Sequence, residues 1–349
     1  MSKFFSEKFK NLKAYVPGEQ PKERLIKLNT NESPFPPSPL AQKLAREAAG
    51  DLNLYNDPEC SFLREIASQK LGIDKKNLLF TNGSDEALSF AFAAYCDKNT
   101  PAVFADITYG FYPVYAEFYG VDYKEIPVKE DLSIDPADYY GAKATVFIAN
   151  PNAQTGTYLS PDEIENVVKN NPFNVVVIDE AYIDFGGESA AKLTKKYDNL
   201  LVIQTFSKSR SLAGGRLGMV VGNEALINDL NVVKYSQNPY NVNRMTQAAG
   251  VGALADEKYF NKNCLSIIKN REYLVENLTR LGFTLTDSKA NFLLARSDRA
   301  DGKTLLTKLR EKGILVRRFD IPRIKDYIRI TIGSSEDMQT LVSELEKIL

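Results

Sequence analysis

Two stretches decide the fold: Val175-Val-Val-Ile-Asp-Glu-Ala-Tyr182, and Leu201-Val-Ile-Gln-Thr-Phe-Ser-Lys-Ser209. Each is a short aliphatic run that ends abruptly in polar residues. Val175–Ile178 is apolar at every position instead of every second one, so a strand built from it must be covered on both faces, as parallel strands under helices are. Outward from these two, similar runs recur at Leu78–Thr81, Ala102–Asp106, Thr145–Ala149 and Met219–Val221, with helical patterns between them. This alternation is the mark of βα units on a mostly parallel sheet. The clearest helix start is Ser160-Pro-Asp-Glu163, where Ser caps, Pro takes the first turn and Glu reaches back. After about residue 224 the pattern changes to long helical stretches through Arg280. Short strands near Asn291–Ala295, Leu315–Arg317 and Tyr327–Ile332 and a last helix follow. The expected fold class is α/β: a three-layer αβα large domain with a mostly parallel sheet, and a smaller α/β domain at the C-terminal end. The expected divisions are an arm over 1–35, a large domain over 36–245 and a small domain over 246–349. The Pro-dense Ser33–Pro39 is expected to run extended, because each proline fixes its own φ and biases the residue before it away from helix.

Composition narrows the chemistry. The 349 residues include 44 Lys+Arg against 45 Asp+Glu and 44% hydrophobic residues, which excludes a disordered or collagen-like chain. A net charge of −1, with basic residues interspersed among acidic ones, gives no reason to attract nucleic acid. There is no histidine, so Ser-His-Asp and Cys-His nucleophiles, His-ligated zinc and histidine acid–base catalysis are excluded. Protons must be moved by Lys, Tyr, Asp, Glu or a cofactor. The three cysteines, Cys60, Cys96 and Cys264, form no CxxC pair, which argues against a disulfide framework and a structural metal and for a reducing compartment. The opening MSKFFSEKFK is studded with charge. The longest apolar stretch, Ala87 to Cys96, falls well short of the ~20 residues of a spanning helix. A cytoplasmic location without membrane contact is expected.

In open α/β sheets, ligands lie beyond the carboxyl ends of the strands, and these positions are unusually polar here. Thr81 is followed by Asn82-Gly-Ser-Asp-Glu86, a glycine turn into a helix start whose free N–H groups suit a phosphate. Ala149 is followed by Asn150-Pro-Asn152, Ile178 by Asp179-Glu-Ala-Tyr182, and Thr205 by Phe206-Ser-Lys-Ser209. Singly, each has a plain structural explanation as a turn opener, a cap or a surface lysine. Their joint occurrence at successive strand exits does not. Gly214-Gly-Arg-Leu-Gly218 lacks the GxGxxG spacing, and no Walker motif occurs, so neither a nicotinamide dehydrogenase nor a P-loop enzyme is indicated.

Over nearly its whole length the sequence resembles the pyridoxal-phosphate enzymes of the aspartate-aminotransferase fold (fold type I). Within them it resembles the histidinol-phosphate aminotransferase family. The matching segments are Leu28-Asn-Thr-Asn-Glu-Ser-Pro34, Tyr55-Asn-Asp-Pro58, Asn82-Gly-Ser-Asp-Glu86, Asn150-Pro-Asn-Ala-Gln-Thr-Gly156, Asp179-Glu-Ala-Tyr182, Ser207–Gly214 with Arg216, and Tyr327-Ile-Arg-Ile-Thr331. The chain departs at Ser33, where Asn is more usual, and at Ala153-Gln154, where a proline commonly precedes Thr-Gly.

The resemblance implies pyridoxal 5'-phosphate as cofactor and a transamination between histidinol phosphate and 2-oxoglutarate, as in histidine biosynthesis. Lys208 would form the Schiff base and then shuttle the substrate proton, a role that suits a chain without histidine. Asp179 would pair with the pyridine nitrogen, while Asn152 and Tyr182 would hydrogen-bond the phenolic oxygen. The backbone N–H groups of Ser84 and Asp85, the Thr205 and Ser207 region and Arg216 would hold the phosphate, and Tyr109 would stack on the ring. Tyr55 would reach the cofactor of a neighbouring subunit, implying a homodimer with composite sites. On the substrate side, Arg329 would fork onto an α-carboxylate. Arg317 would take the substrate phosphate or glutamate's side-chain carboxylate, with Arg318 beside it an open alternative. Tyr15 and Tyr240 would help close the pocket. Other readings are an aromatic amino-acid aminotransferase or a phosphothreonine decarboxylase on the same fold. A further one is a regulator built on a retired domain of this kind, although no added basic module precedes Tyr55.

Overall fold

The computed structural model describes residues 2–23 and 25–349. Twelve strands are formed among them. A short β1 (Ile26–Lys27) leaves the arm, and β2 (Leu78–Thr81), β3 (Ala102–Ala105), β4 (Tyr123–Ile126), β5 (Thr145–Ala149), β6 (Val176–Asp179), β7 (Leu200–Thr205) and β8 (Gly218–Gly222) follow. These last seven make one sheet in the order β2-β8-β7-β6-β5-β3-β4. The pairs from β7 to β4 are parallel, while β8 runs antiparallel to both β2 and β7. Downstream lie β9 (Phe283–Leu285), β10 (Phe292–Ser297), β11 (Ile314–Leu315) and β12 (Tyr327–Thr331). Strands β12-β10-β9 form an antiparallel sheet, and β11 pairs in parallel with β1, tying the arm to the C-terminal region.

The two-faced burial expected of the large sheet is present. Leu79, Phe104, Phe147, Val177, Leu201 and Val220 join one core, and Leu78, Val103, Val146, Val176, Leu200 and Val221 join the other. Consecutive residues of a strand thus supply opposite layers. The first core runs on into Phe292, Ile328 and Ile330 of the C-terminal sheet and Leu274 and Leu278 of the long helix Glu257–Arg280. The second is covered by Ile164, Val167 and Val168 of the helix Pro161–Lys169, whose start carries the expected capping box of Ser160 and Glu163.

Several expectations need correction. No apolar run marks strand β4: three of its four residues are exposed, so Tyr-Lys-Glu-Ile carries no buried pattern, as suits an edge strand. The extended Pro-dense stretch stops at Ser38, whose side chain caps a helix beginning at Pro39, a position where proline's fixed φ and missing N–H cost nothing. The expected strand Leu315–Arg317 shrinks to Ile314–Leu315, with Arg317 joined to Arg329 by a single bridge.

The reversed strand β8 matters for the site. Its first residue, Gly218, is in register with both Thr81 and Thr205, the last residues of β2 and β7. The loop entering β8, with Arg216, is thereby brought to the edge where the parallel strands exit. A Cβ on Gly218 would lie 2.5 Å from the Gly83 carbonyl carbon and 2.7 Å from Ser84 N, so this approach requires glycine.

Candidate active site

At that edge the strand exits enclose a cavity of ≈ 340 Å³ lined by Ser84, Asp85, Tyr109, Asp179, Tyr182, Thr205, Ser207, Lys208 and Arg216, among others. A second lobe of ≈ 130 Å³ opens beside it, lined by Tyr15, Gln154, Arg317, Phe319 and Arg329; Lys208, Tyr109 and Tyr182 border both.

Lys208 follows β7, and its Nζ donates to the carbonyl of Thr30 at 3.2 Å. Desolvation disfavours its ammonium form, and Arg329 and Arg216 add repulsion, only partly offset by Glu32 and Asp85. Its pKa is pulled down to about 8. The amine is therefore uncharged over a pH range in which a surface lysine still holds its proton.

Asp179 ends β6, buried, with Oδ2 accepting from Tyr112 OH at 3.1 Å and Oδ1 from Ala181 N at 3.2 Å. Burial outweighs these hydrogen bonds and the pull of Lys208, and raises the carboxyl to about 6. Such a group is held ionised best by a cationic N–H placed against it. Its neighbour Glu180 points to the other face of the sheet, as strand alternation demands. There it accepts from Ser189, Gln204 and the Ala190 N–H, and it anchors the 3₁₀ segment Ala190–Lys195 without reaching the cavity.

The opposite wall is a donor cradle. Gly83, at φ +79°, turns the chain into the helix Ser84–Tyr95, whose first N–H groups carry no side-chain cap. Arg216 lies against this turn: its Nη2 pairs with Asp85 Oδ2 at 2.9 Å, and a Cβ on Gly83 would sit 2.5 Å from that nitrogen. Tyr109 OH donates to Asp85 Oδ1 at 2.6 Å, so one carboxylate fixes both the arginine and the aromatic wall. Thr205 Oγ1 donates to Ser207 Oγ at 3.0 Å on the adjoining side. Positive charge, hydroxyls and helix-start amides converge as an anion requires.

In the second lobe, Arg329 Nη1 donates to Ala153 O at 2.8 Å and to Gln154 Oε1 at 3.2 Å, and the guanidinium lies 5.0 Å from the rings of both Phe292 and Phe319. Arg317 is bridged to Arg329 through backbone, and its guanidinium meets the carbonyls of Val16 and Pro17 in the arm. The adjacent Arg318 is turned away, onto Lys325 O at 2.6 Å and Asp320, so of the two arginines it is Arg317 that lines the lobe. Tyr15 packs over the lobe, stacked on Phe111 at 4.4 Å.

A family profile described as aminotransferase class I and II matches residues 23–345. The chain is 46% identical to a histidinol-phosphate aminotransferase of Clostridium botulinum (strain Kyoto / Type A2), over 100% of this chain and 99% of that one. It is 47% identical to the histidinol-phosphate aminotransferase of Brachyspira hyodysenteriae (strain ATCC 49526 / WA1), with the same shares covered. This chain belongs to the class I and II aminotransferases. The solved structure of histidinol-phosphate aminotransferase from Sinorhizobium meliloti in complex with pyridoxal-5'-phosphate superposes with a TM-score of 0.90 at 22% identity, covering 100% of this chain and 98% of that one, a likeness of fold.

Of the aminotransferase residues expected from sequence, most meet at the two lobes, but three do not. The Asn152 amide is fully buried in its own loop, donating to Ile107 O at 2.9 Å and accepting from Gln154 N and Thr155 N; Ala153 is the residue that faces the lobes. Asn152 therefore shapes the loop. Tyr55 is 80% exposed and stacks on Tyr240, itself 42% exposed, at 4.6 Å, and neither lines a lobe of its own chain. Three further residues support the site: Tyr112, and Asn31 and Glu32 within the Leu28–Pro34 segment. Tyr112 holds Asp179 from within a helix where it reads as packing, and Asn31, at φ 55°, donates to Tyr182 OH at 3.0 Å from the arm. Glu32, paired with Lys27, lines the first lobe. A positive φ on Asn is a tolerated but uncommon conformation, and no local sequence signal marks it.

Proposed function

We infer that this chain is a pyridoxal-phosphate-dependent transaminase that transfers the amino group of histidinol phosphate to 2-oxoglutarate, as in histidine biosynthesis. The observation carrying this reading is one cavity that sets a lysine amine of lowered pKa beside a buried carboxyl of raised pKa, next to a lobe with two arginines. The residues fit the cofactor: among the described residues the buried Asp179 carboxyl accepts only from Tyr112 OH and Ala181 N and forms no ion pair, which suits a cationic ring N–H, and the Gly83–Arg216 cradle has the donor chemistry of a phosphate site. When bound, the group supplies an electron sink for the substrate's Cα carbanion. The backbone N–H groups of Ser84 and Asp85, with Thr205, Ser207 and Arg216, would hold its phosphate, Tyr109 its ring face, Asp179 its ring nitrogen and Tyr182 its phenolic oxygen. Lys208 Nζ takes up and redelivers the substrate's Cα proton, a task suited to an amine whose pKa burial pulls down to about 8. Arg329 binds the α-carboxylate of glutamate, and Arg317 binds the phosphate of the amine or glutamate's distal carboxylate.

Homodimerisation belongs to the same reading. Leu52, Leu54, Tyr55 and Tyr240 are exposed, with Tyr55 stacked on Tyr240, and burial of this segment against a second copy would carry Tyr55 toward the other subunit's cofactor. The division into an arm over 1–35, a large domain over 36–245 and a small domain over 246–349 is likewise our reading, as is a cytoplasmic location. No helix among the described residues is long and apolar enough to cross a membrane.

The test is the absorbance of the purified protein with pyridoxal phosphate, before and after L-histidinol phosphate and, separately, L-phenylalanine. A visible band that bleaches at far lower histidinol phosphate than phenylalanine supports the reading. A stronger response to phenylalanine moves the substrate to aromatic amino acids, and the absence of any band removes the cofactor.

A further inference from the structure

We propose that Gln154 is a positioning residue for the carboxylate-bearing substrate, orienting Arg329 for the α-carboxylate of glutamate and 2-oxoglutarate. The proposal rests on the transaminase reading above. The residue stands where the resemblance would place a proline before Thr155-Gly156, and proline carries no side-chain acceptor. Gln154 is 6% exposed and lines the second lobe. Its backbone is pinned by Asn152, whose Oδ1 accepts from Gln154 N at 2.9 Å and Thr155 N at 3.1 Å. Its Oε1 therefore meets Arg329 Nη1 from a fixed loop, at 3.2 Å, beside the Ala153 carbonyl at 2.8 Å.

Two acceptors on one nitrogen fix the guanidinium about its own plane, and Phe292 and Phe319, each 5.0 Å away, fix its tilt. Arg329 Nη2 makes no hydrogen bond to protein among the described residues, and Nε is buried without a partner, so donor capacity is left unused. A carboxylate is the acceptor that matches a planar guanidinium fork, and such a pair is sensitive to small rotations. Histidinol phosphate carries no carboxylate. The contribution of Gln154 must therefore fall on one half of the reaction and spare the other, which a residue that merely supported the fold would not do.

The experiment compares wild type with Gln154→Met, which keeps the length and removes the acceptor, and Gln154→Glu, which keeps the acceptor but opposes a second negative charge. Two readouts are taken on the cofactor-loaded protein: the dissociation constant of succinate, an unreactive dicarboxylate, by titration, and the KM values for 2-oxoglutarate and for histidinol phosphate. Loss of one hydrogen bond to a charged group predicts that Gln154→Met weakens succinate and raises KM for 2-oxoglutarate about tenfold. The KM for histidinol phosphate should stay within about twofold. Gln154→Glu should weaken succinate further, because its charge competes for Arg329. Equal effects on both substrates, or no effect on succinate, would overturn the proposal. If the wild type itself neither binds succinate nor uses 2-oxoglutarate, the transaminase reading fails first and the proposal falls with it, a result visible before any variant is measured.

Discussion

The two lobes of the cavity are built by different means. The larger is assembled from consecutive exits of one sheet, so Ser84, Asp179 and Lys208 inherit their positions from strands locked by ladder hydrogen bonds and two cores. The smaller is assembled from segments far apart in the chain: Tyr15 and Gly18 of the arm, Ala153-Gln154 of a loop, and Arg317 and Arg329 beside the C-terminal sheet. One is a frame of paired strands, and the other is walled in part by the arm, whose Val16 and Pro17 carbonyls accept from Arg317. This difference suits a division of labour in which the chemistry shared by a whole family resides on the frame. Recognition of a particular substrate would then reside on parts that can be varied without disturbing it.

The frame is probed most strongly at Lys208. On the proposed reading Lys208→Ala removes the group that would hold and move the proton, and turnover should fall by about 10³-fold or more, while the far-ultraviolet circular dichroism and melting temperature stay close to wild type. Turnover retained near the wild-type rate would move the chemistry off the frame. A smaller effect sharpens the other side. Arg317→Ala should raise KM for histidinol phosphate about 10- to 100-fold, the worth of a charge-assisted contact to a phosphate. Arg318→Ala, whose side chain serves Lys325 O and Asp320, should stay within about twofold. Reversed effects would mean that the strand turns the other arginine into the lobe when substrate binds.

The difference between the lobes also decides what could be read from sequence. Asp179, Tyr182, Thr205 and Lys208 announce themselves because each follows an apolar run within a few positions, and the rule that ligands sit at strand exits is local. The reversed direction of β8 leaves no trace in an apolar run, since burial on both faces looks the same in either direction, and the edge strand β4 has too little burial to show. Asn152 was placed correctly in its loop, yet which side chain of a turn faces inward depends on backbone torsions: here Asn152 turns to Ile107 and Ala153 faces the cavity. Tyr112 and Asn31 touch residues 67 and 151 positions away, and nothing local distinguishes a tyrosine that holds a carboxylate from one that fills a core. Arg317 and Arg318 are neighbours in a short extended stretch, where successive side chains alternate sides and only the register with Arg329 selects one.

The most direct test of the division is a pair of titrations on one variant, Arg329→Lys, measured first with pyridoxal phosphate and then, once loaded, with succinate. Lysine keeps the charge but loses the fork, so succinate affinity should fall about tenfold or more while cofactor affinity stays within about twofold of wild type. A parallel loss of cofactor affinity would contradict the account, because it would make the two lobes one cooperative site instead of a frame of paired strands with a separately built recognition lobe.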